Sequence, residues 1–436
     1  MRFVYSLLFY CALPLVMVRM AYRSIRLPAY GHRWNERLAL YGRPNFPLKS
    51  KSARLWFHAV SVGEAESAFP LIRAIQNQYP DLSILVTTTT PTGSARVIDT
   101  LGHTVEHVYL PYDLPDCVER FLARFKPSLG IIMETEIWPN LYTACLNRKI
   151  PLALVNARLT ERSARGYAWV GGLIKVCLQA VSLLAAQTLS DAQRYLRLGM
   201  DSQRVVITGN IKFDAELSPN RLAETRKARE LLFGTRPVWI AGSTHHGEDE
   251  HVLAAHKLLL SRYPDLALIL APRHPERMDA VAALITAMGL TLNRRSQNSD
   301  RQIDESVYLL DTLGELKFLY ATADVAFIGG SLITAGGHNM LEPAAIGLPV
   351  LFGPHVYNFE EIATRLQECG GGAMISDATQ LAEQVDRLIG DPLLRTEWGI
   401  QAQAFVNANQ GAARRVLEQL TPLIEAGIIK TGSYTA

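Results

Sequence analysis

The sequence predicts an α/β protein with two doubly wound, Rossmann-like domains in tandem, preceded by an apolar helix. Short apolar runs alternate with amphipathic helical stretches along most of the 436 residues. These runs lack polar alternation, as expected of parallel strands that are buried on both faces. A change of composition near the middle of the chain separates a first series of runs from a second. Two such domains in tandem predict a cleft at the carboxyl ends of their strands.

Composition and charge exclude several classes of protein. With 48% hydrophobic and 19% charged residues the chain is globular, and it is long enough for two hydrophobic cores. The net charge of +3 is too small to indicate a nucleic-acid partner. The five cysteines are scattered and never have Cys-x-x-Cys spacing. That pattern argues against a zinc site or a disulfide framework and fits a reducing compartment.

The first element is an uncharged apolar run, Phe3–Val18, between Arg2 and Arg19. It is shorter than the about 20 residues that a bilayer span needs. A cleaved signal peptide would need a small-residue site, which does not follow here. A buried core helix is the alternative that involves no membrane. We interpret residues 1–20 as an uncleaved anchor that spans the bilayer or lies in its interface, where Pro14 is tolerated.

A basic segment, residues 21–54, follows the anchor. Together with Arg19 it holds nine lysines and arginines and one acidic residue, Glu36. Basic residues beside an apolar helix are attracted to anionic lipid by about 1 kcal/mol each. The positive-inside rule then puts the following domains in the cytoplasm. A solvated basic linker is the alternative.

The predicted domain boundaries follow from the apolar runs. A first domain, residues 55–215, has strands at Leu55–Val60, Ile84–Thr88, Val105–Leu110, Leu129–Met133, Leu152–Val155, Leu183–Ala186 and Val205–Thr208. Helices such as Ala65–Gln78 separate them, and a charged linker, residues 216–237, follows. A second domain, residues 238–400, precedes a helical tail, residues 401–436. Its strands are Val238–Ala241, Leu266–Leu270, Val307–Leu310, Val325–Ile328 and Val350–Phe352.

Familiar nucleotide and metal motifs are absent from the sequence. No Gly-x-Gly-x-x-Gly follows a strand, and there is no Walker loop, Asp-x-Asp or His-Glu-x-x-His. The sequence therefore indicates neither dinucleotide nor P-loop chemistry, and it predicts no bound metal or cofactor.

Charged side chains follow three strands of the first domain. After the first strand we expect a tight turn at Gly63 and a helix from about Glu64, with the Glu64 carboxylate on the cleft wall. Glu134 and Glu136 follow another strand, where acid/base or electrostatic roles are possible. Capping of the next helix is the alternative for these acids. Lys212 follows the last strand and could meet a developing negative charge, with a surface lysine as the alternative.

Stretches after the strands of the second domain suit an anionic ligand. The small residues of Ala241–Glu248 would let backbone N–H groups approach an anion. Ala271–Arg277 offers the guanidinium of Arg273, and Leu313–Leu316 opens a helix. For these segments an ordinary surface turn is the alternative.

The strongest run is Gly329–Leu332 followed by Gly336–Ala345. A glycine-rich loop that leads into a helix start is suited to an anion. Asn339 and Glu342 would share one helical face, where a carboxylate can accept hydrogen bonds from ribose hydroxyls. A plain turn and a helix cap are the alternatives.

Six phrases give the sequence a resemblance. In order, they are HAVSVGEAES, METEIWPN, GNIKFD, AGSTHHGE, APRHPER and GGHNMLEPAAIGLPV. From the anchor to about residue 360 the chain resembles the 3-deoxy-D-manno-octulosonic acid (Kdo) transferases of Gram-negative bacteria. The resemblance implies a GT-B fold and action, without a metal, at the cytoplasmic face of the inner membrane. It also implies CMP-Kdo as donor and the tetraacyl lipid A precursor (lipid IVA) as acceptor.

The resemblance also implies residue roles. Glu64 matches the proton acceptor, and Glu134 and Lys212 match the transition-state stabilisers, with Glu136 as the alternative to Glu134. The implied CMP contacts are Pro272, Arg273, Leu313, Gly314, Glu315, Asn339, Met340, Leu341 and Glu342. Because no covalent nucleophile is identified, the transfer to the 6′-hydroxyl is expected to invert the anomeric centre.

Two other hypotheses stay open at this stage. The chain could be another GT-B transferase or a sugar-nucleotide epimerase that uses UDP, which binding of CMP against UDP would separate. It could also be a non-catalytic, membrane-bound nucleotide-binding protein, in which Glu64→Gln would leave function intact. The preferred interpretation expects the Glu64 carboxylate to face a nucleotide held by the second domain.

Overall fold

The computed structural model describes residues 1–42, 53–214, 219–297, 303–357 and 359–432. Contacts divide the chain into two units. The first comprises Met1–Asp214 together with Gln410–Ala436, and the second comprises Ala215–Asn409. Each unit has a seven-stranded sheet in which every pairing is parallel. The prediction of two doubly wound α/β domains is confirmed.

The first sheet holds the strands of the amino-terminal half. They are β1 (Arg54–His58), β2 (Ser83–Thr88), β3 (Glu106–Tyr109), β4 (Leu129–Met133), β5 (Leu152–Ala157), β6 (Val181–Ala186) and β7 (Val205–Ile207). Their spatial order is β3-β2-β1-β4-β5-β6-β7. The order reverses between β1 and β4, so the switch point, where doubly wound sheets bind ligands, lies above the carboxyl ends of these two strands.

Nine helices of the described residues belong to the first unit. They are α1 (Arg2–Arg26), α2 (Val62–Gln78), α3 (Pro91–Leu101), α4 (Pro115–Phe125), α5 (Pro139–Asn147), α6 (Glu161–Trp169), α7 (Gly171–Gln179), α8 (Leu189–Arg197) and α17 (Ala412–Gly432). Helix α2 begins at Val62, before the start predicted near Glu64. Gly63 therefore lies within its first turn, and the predicted tight turn at Gly63 is wrong.

The first sheet is buried on both faces. Consecutive residues of β1 point to opposite sides, Trp56 into one hydrophobic cluster and Leu55 and Phe57 into another. All three are fully buried. This explains why the strands appear in the sequence as unbroken apolar runs, because neither face meets water.

Helix α17 covers part of the first sheet although it comes from the end of the chain. Its buried residues in the cluster with α2 and β1 are Ala412, Ala413, Val416, Leu420 and Ile424. Their spacing of three or four residues gives the helix one apolar face. The sequence predicted a helical tail at residues 401–436 but not that its last helix belongs with the first unit.

The second sheet has the same plan. Its strands are β8 (Val238–Thr244), β9 (Ala267–Pro272), β10 (Leu292–Arg294), β11 (Val307–Leu309), β12 (Val325–Ile328), β13 (Val350–Phe352) and β14 (Gly372–Met374). The order is β10-β11-β9-β8-β12-β13-β14, with the switch point between β8 and β12. Strands β10 and β14, which lie at the two edges, were not predicted. Each has only three residues, too few for a recognisable apolar run.

The helices of the second unit surround this sheet. They are α9 (Pro219–Phe233), α10 (Asp249–Leu260), α11 (Met278–Ala287), α12 (Leu316–Tyr320), α13 (Leu341–Ala345), α14 (Glu360–Glu368), α15 (Ala378–Gly390) and α16 (Pro392–Asn409). Helix α9 fills most of the predicted linker and packs into the second unit, where Phe233 meets Tyr308 edge-on at 5.8 Å. The start of that linker, residues 216–218, lies outside the described residues.

Helix α1 is, among the described residues, the helix long and apolar enough to cross a membrane. Its 25 residues extend over about 37 Å, beyond the apolar run seen in the sequence. The Ser6 hydroxyl donates to Asn140 Oδ1 at 3.1 Å, and the Tyr10 hydroxyl donates to Asp116 at 2.5 Å. Most of its apolar side chains are exposed, but its first half is tied to the first unit.

Part of the basic segment packs on the first unit. Arg33 pairs with Glu36 at 2.8 Å, and the buried Arg37 donates to the Thr89 carbonyl at 2.8 Å. Arg54 begins β1. These three arginines are held by the protein, contrary to the predicted lipid-facing cluster. Three further members lie outside the described residues: Arg43, Lys49 and Lys51.

We predict that Asp214→Ala loosens the start of α17. Asp214 accepts the Gly411 N–H at 2.6 Å and the Ala413 N–H at 2.5 Å. Loss of such a cap costs about 1–2 kcal/mol. Hydrogen-exchange mass spectrometry should therefore show faster exchange in the first turns of α17.

The matched control is Asp377→Ala. Asp377 caps α15 by accepting the Gln380 N–H at 2.9 Å. Its removal should speed exchange in α15 and leave α17 protected. Unchanged protection of α17 in Asp214→Ala would contradict the capping role.

Candidate active site

Glu64 lies in the first turn of α2, at the switch point of the first sheet. Its carboxylate accepts the Val60 N–H at 2.7 Å and lies 3.4 Å from the Ser61 hydroxyl. Burial raises the pKa of Glu64 to about 8; the Val60 N–H opposes this, and Glu134 and Glu136 add to it. The carboxylate thus makes the capping contact named as its alternative. A pKa in this range lies close to the value that suits a group transferring protons near neutral pH.

Glu134 and Lys212 form an ion pair. Glu134 follows β4, the neighbour of β1, and its Oε1 lies 2.9 Å from Lys212 Nζ. The φ of Glu134 is +55°, and its N–H donates to the Val155 carbonyl at 2.9 Å. Backbone strain of this kind clusters at functional sites. The structure thus brings together the three residues predicted as catalytic, since both partners lie close enough to Glu64 to shift its pKa.

Glu136, the alternative to Glu134, is placed differently. Burial raises the pKa of Glu136, and its backbone carbonyl accepts the Tyr142 hydroxyl at 2.5 Å. The ion pair with Lys212 is made by Glu134. The geometry therefore favours Glu134 as the acid that acts with the lysine.

The loop that carries Lys212 is fixed by polar groups. The Ile211 N–H donates to Asn156 Oδ1 at 3.0 Å, and the Lys212 N–H donates to Asn210 Oδ1 at 3.0 Å. Asn156 is fully buried near the end of β5 and has a φ of +53°. Sequence reasoning missed Asn156. The available signal was an asparagine near the end of an otherwise apolar strand.

Glu248 organises the glycine-rich loop of the second unit. Its buried carboxylate accepts four backbone N–H groups. These belong to His245 at 2.9 Å, Gly330 at 2.6 Å, Ser331 at 3.0 Å and Leu332 at 2.9 Å. Burial raises the pKa of Glu248, and the four N–H groups oppose that rise. The predicted anion site on Gly329–Leu332 is therefore occupied by the protein's own carboxylate.

Two glycines near this loop serve close packing. A Cβ at Gly242 would lie 2.1 Å from the Tyr320 hydroxyl, and one at Gly329 would lie 2.4 Å from the Ser243 carbonyl oxygen. Glycine is required at both positions because another part of the protein touches the main chain there. Gly242 lies within β8, and the prediction that the small residues of Ala241–Glu248 leave the main chain open to an anion is wrong at this position.

Three histidines form a row at the switch point of the second sheet. His245 follows β8, and the plane of its ring lies within 9° of that of His338, with ring centroids 5.1 Å apart. Their Nε2 atoms are 2.8 Å apart, so one ring donates and the other accepts. The His274 ring meets His245 edge-on at 5.1 Å. Sequence reasoning included these histidines in its motifs but assigned them no role.

The implied CMP contacts follow β9, β11 and β12. The Arg273 side chain is exposed, and Leu313 is 75% exposed. Pro272, Met340 and Leu341 are buried. Among the described residues no group of His, Cys, Asp or Glu side chains is arranged to hold a metal ion.

The two carboxylates among these contacts have partners of their own. Glu315 pairs with Arg295 at 2.8 Å. The Asn339 amide donates to Glu342 Oε1 at 3.3 Å, and its oxygen accepts the Leu341 N–H at 3.0 Å. Asn339 lies before Met340, the N-cap of the short helix α13, and is therefore outside the helix. The prediction that Asn339 and Glu342 share a helical face is wrong, although the two are in contact.

The chain matches proteins of one family along almost all of its length. Residues 32–215 match the family model described as 3-Deoxy-D-manno-octulosonic-acid transferase (kdotransferase). A 3-deoxy-D-manno-octulosonic acid transferase of Haemophilus influenzae is 41% identical over 428 residues, which cover 98% of this chain and 100% of the relative. One of Bordetella pertussis is 36% identical over 433 residues, covering 96% and 98%.

A solved structure shares the fold. UDP-GlcNAc 2-epimerase from Neisseria meningitidis, bound to UDP-GlcNAc, matches with a TM-score of 0.57 and 16% identity. The match covers 85% of this chain and 100% of the epimerase. At this identity the likeness concerns the fold alone.

We predict that Glu248→Gln destabilises the second unit by about 2–4 kcal/mol, because an amide cannot satisfy four converging N–H donors with charge-assisted bonds. Urea unfolding of the detergent-solubilised protein measures the change. Glu250→Gln, an exposed neighbour in the first turn of α10, is the control and should shift stability by at most about 0.5 kcal/mol. Equal midpoints for the two variants would show that the Glu248 contacts contribute little.

The raised pKa of Glu64 predicts a pH-dependent effect of Glu64→Gln on stability. The pKa of Glu64 is about 8 in the native protein, against an ordinary value of 4.5. Between these two pH values the native state therefore holds a proton on Glu64 that the unfolded chain releases. The wild type therefore loses stability as pH rises through the window, whereas glutamine does not titrate. The variant should be more stable at about pH 9, by on the order of 1–3 kcal/mol.

Thermal unfolding from about pH 4 to about pH 9 measures this difference. Asp81→Asn, an exposed carboxyl in the same unit, is the control and should show no such trend. A stability difference that stays constant across the range would contradict the raised pKa.

Proposed function

The chain belongs to the 3-deoxy-D-manno-octulosonic acid (Kdo) transferase family, and on that basis we propose that it moves Kdo from CMP-Kdo to the 6′-hydroxyl of the tetraacyl lipid A precursor (lipid IVA). The transfer inverts the anomeric centre and is a step of lipopolysaccharide synthesis. The observation that carries the proposal is the family match over 98% of the chain combined with Glu64 at a switch point.

Glu64 is the general base in this proposal. It accepts the proton of the acceptor hydroxyl while the hydroxyl oxygen attacks the anomeric carbon of Kdo. Support comes from its pKa of about 8, which lets the carboxylate bind and release a proton near neutral pH. General base catalysis of this kind contributes about 10²–10⁴-fold to the rate.

Lys212 and Glu134 stabilise the transition state. As the acceptor bond forms, the bond between the anomeric carbon and the phosphate oxygen breaks, and its electron pair leaves with CMP. The Lys212 ammonium offsets developing negative charge, and the 2.9 Å ion pair with Glu134 holds it in place. The strained backbone at Glu134 supports a position set by function.

The second unit binds the CMP part of the donor. The exposed guanidinium of Arg273 meets the phosphate, a contact that suits its charge and planar donors. The carboxylates of Glu315 and Glu342 accept hydrogen bonds from the ribose hydroxyls. Pro272 and Met340, which are buried beside Arg273 and Asn339 in the chain, shape the same site.

Helix α1 keeps the enzyme at the cytoplasmic face of the inner membrane. Its exposed apolar side chains support an anchor, and its bonds through Ser6 and Tyr10 keep the first half beside the first unit. We infer that the helix lies in the interface. Restriction to the membrane surface raises the effective concentration of the lipid acceptor.

The direct test uses the full-length protein with CMP-Kdo and the tetraacyl acceptor, followed by mass spectrometry of the product. We expect one or two added Kdo groups from the wild type and a loss of at least about 10³-fold in Glu64→Gln. The rate of the wild type should fall as pH drops below about 8, because protonation removes the base. Asp81→Asn is the control and should retain the wild-type rate.

Calorimetry on the same samples should give equal CMP affinity for the wild type and Glu64→Gln, which separates chemistry from donor binding. Full turnover by Glu64→Gln would show that Glu64 is not the general base. Binding of UDP in place of CMP would overturn the proposed donor.

A further inference from the structure

We propose that the His245–His338 pair is a proton-accepting site for the phosphodiester group of the nucleotide-sugar donor, an inference that rests on the proposed function. The two rings lie on segments that follow β8 and β12, the neighbours that flank the switch point of the second sheet. A ligand of a doubly wound sheet binds above this point.

The pair also connects two of the three segments whose residues are the proposed CMP contacts. His274 directly follows Arg273 in the chain, and its ring touches His245. His338 directly precedes Asn339. The row of three rings therefore runs from Arg273, which is proposed to meet the phosphate, to Asn339. Asn339 contacts Glu342, whose carboxylate is proposed to bind the ribose. An anionic group between these segments lies beside the rings.

The hydrogen bond between the rings determines how many donors the pair can offer. With Nε2 atoms 2.8 Å apart, one ring donates from Nε2 and the other accepts there. In the neutral pair only the accepting ring carries a proton on Nδ1. One added proton gives both rings an Nδ1–H and keeps the bond between the Nε2 atoms. An anion at the pair thus favours uptake of one proton from solvent.

Without a ligand the surroundings keep the pair neutral. Burial lowers the pKa of His338 to about 3, with further contributions from His245 and Arg273. Burial also lowers the pKa of His245. The charged or titratable groups that face the pair are Arg273, His274, Arg277, Asp249 and Glu248. Most of these groups are cationic or can become so, and they disfavour a protonated histidine. The negative charge of a phosphodiester would favour the protonated form of the pair.

Glu248 fixes the separation of the two rings. Its carboxylate accepts the N–H groups of both His245 and Gly330. The Gly330 carbonyl in turn accepts the Gly337 N–H at 2.8 Å, one residue before His338. Gly330 lies close against the pair, since a Cβ there would be 3.0 Å from the His338 ring. The site is therefore preorganised, and ordering it on binding costs little.

The test uses cytidine 5′-(methyl phosphate), a phosphodiester whose charge stays constant over the pH range used. Calorimetry of the full-length protein in two buffers with different ionisation enthalpies measures affinity and proton uptake together. We expect proton uptake on binding and an affinity that rises about 5–10-fold from about pH 8 to about pH 6.

The main variant is His338→Gln, whose amide can keep a contact with His245 but cannot take up a proton. It should weaken binding about 10-fold at about pH 6 and remove the pH dependence. His245→Asn should do the same, and it serves as the second variant if one of them fails to fold. The control is His251→Asn, an exposed histidine on α10, which should bind like the wild type.

The outcomes separate this inference from the proposed function. If the probe binds without proton uptake, and His338→Gln and His245→Asn bind like the wild type, the inference is wrong while CMP recognition stands. If the wild type binds neither the probe nor CMP, the proposed donor is wrong as well. The inference is supported if the affinity for the probe no longer depends on pH in His338→Gln and His245→Asn but still does so in the control His251→Asn.

Discussion

A parallel sheet whose strand order reverses sends the segments after two neighbouring strands to opposite faces and leaves a crevice between them. Both units depend on this constraint. In the first, the crevice lies between β1 and β4 and collects Glu64, Glu134 and Lys212. In the second, it lies between β8 and β12 and collects His245 and His338. The buried sheets supply rigidity, and the segments after the strands supply the polar groups.

Two carboxylates at these crevices show how hydrogen bonding separates structural from chemical roles. Burial raises the pKa of both Glu64 and Glu248. Glu248 accepts four backbone N–H groups, which stabilise its charge and use all its oxygen lone pairs within the loop. Glu64 accepts one short backbone bond and has acidic neighbours, so its proton affinity stays high. Glu248 therefore has a structural role, whereas Glu64 remains available for proton transfer.

The central strands and the positions of Glu64 and Glu134 near strand ends could be predicted from sequence because both have local signals. Buried parallel strands are continuous apolar runs. Glu134 directly follows β4, and Glu64 lies in the first turn of the helix after β1. Long-range features had no such signal. The amides that Glu248 binds beyond His245 lie more than 80 residues further along the chain. Likewise, the apolar face of α17 is evident in its spacing, but nothing in that spacing says which sheet it covers.

The return of α17 to the first unit makes the second unit an insertion within the first. During synthesis all of Ala215–Asn409 emerges before the residues that complete the first core. The inserted unit is continuous in sequence and can fold as soon as it leaves the ribosome, whereas the earlier unit waits with part of the α2 side of its sheet uncovered. A message cut short before Ala412 would thus yield a finished second unit attached to an incomplete first unit.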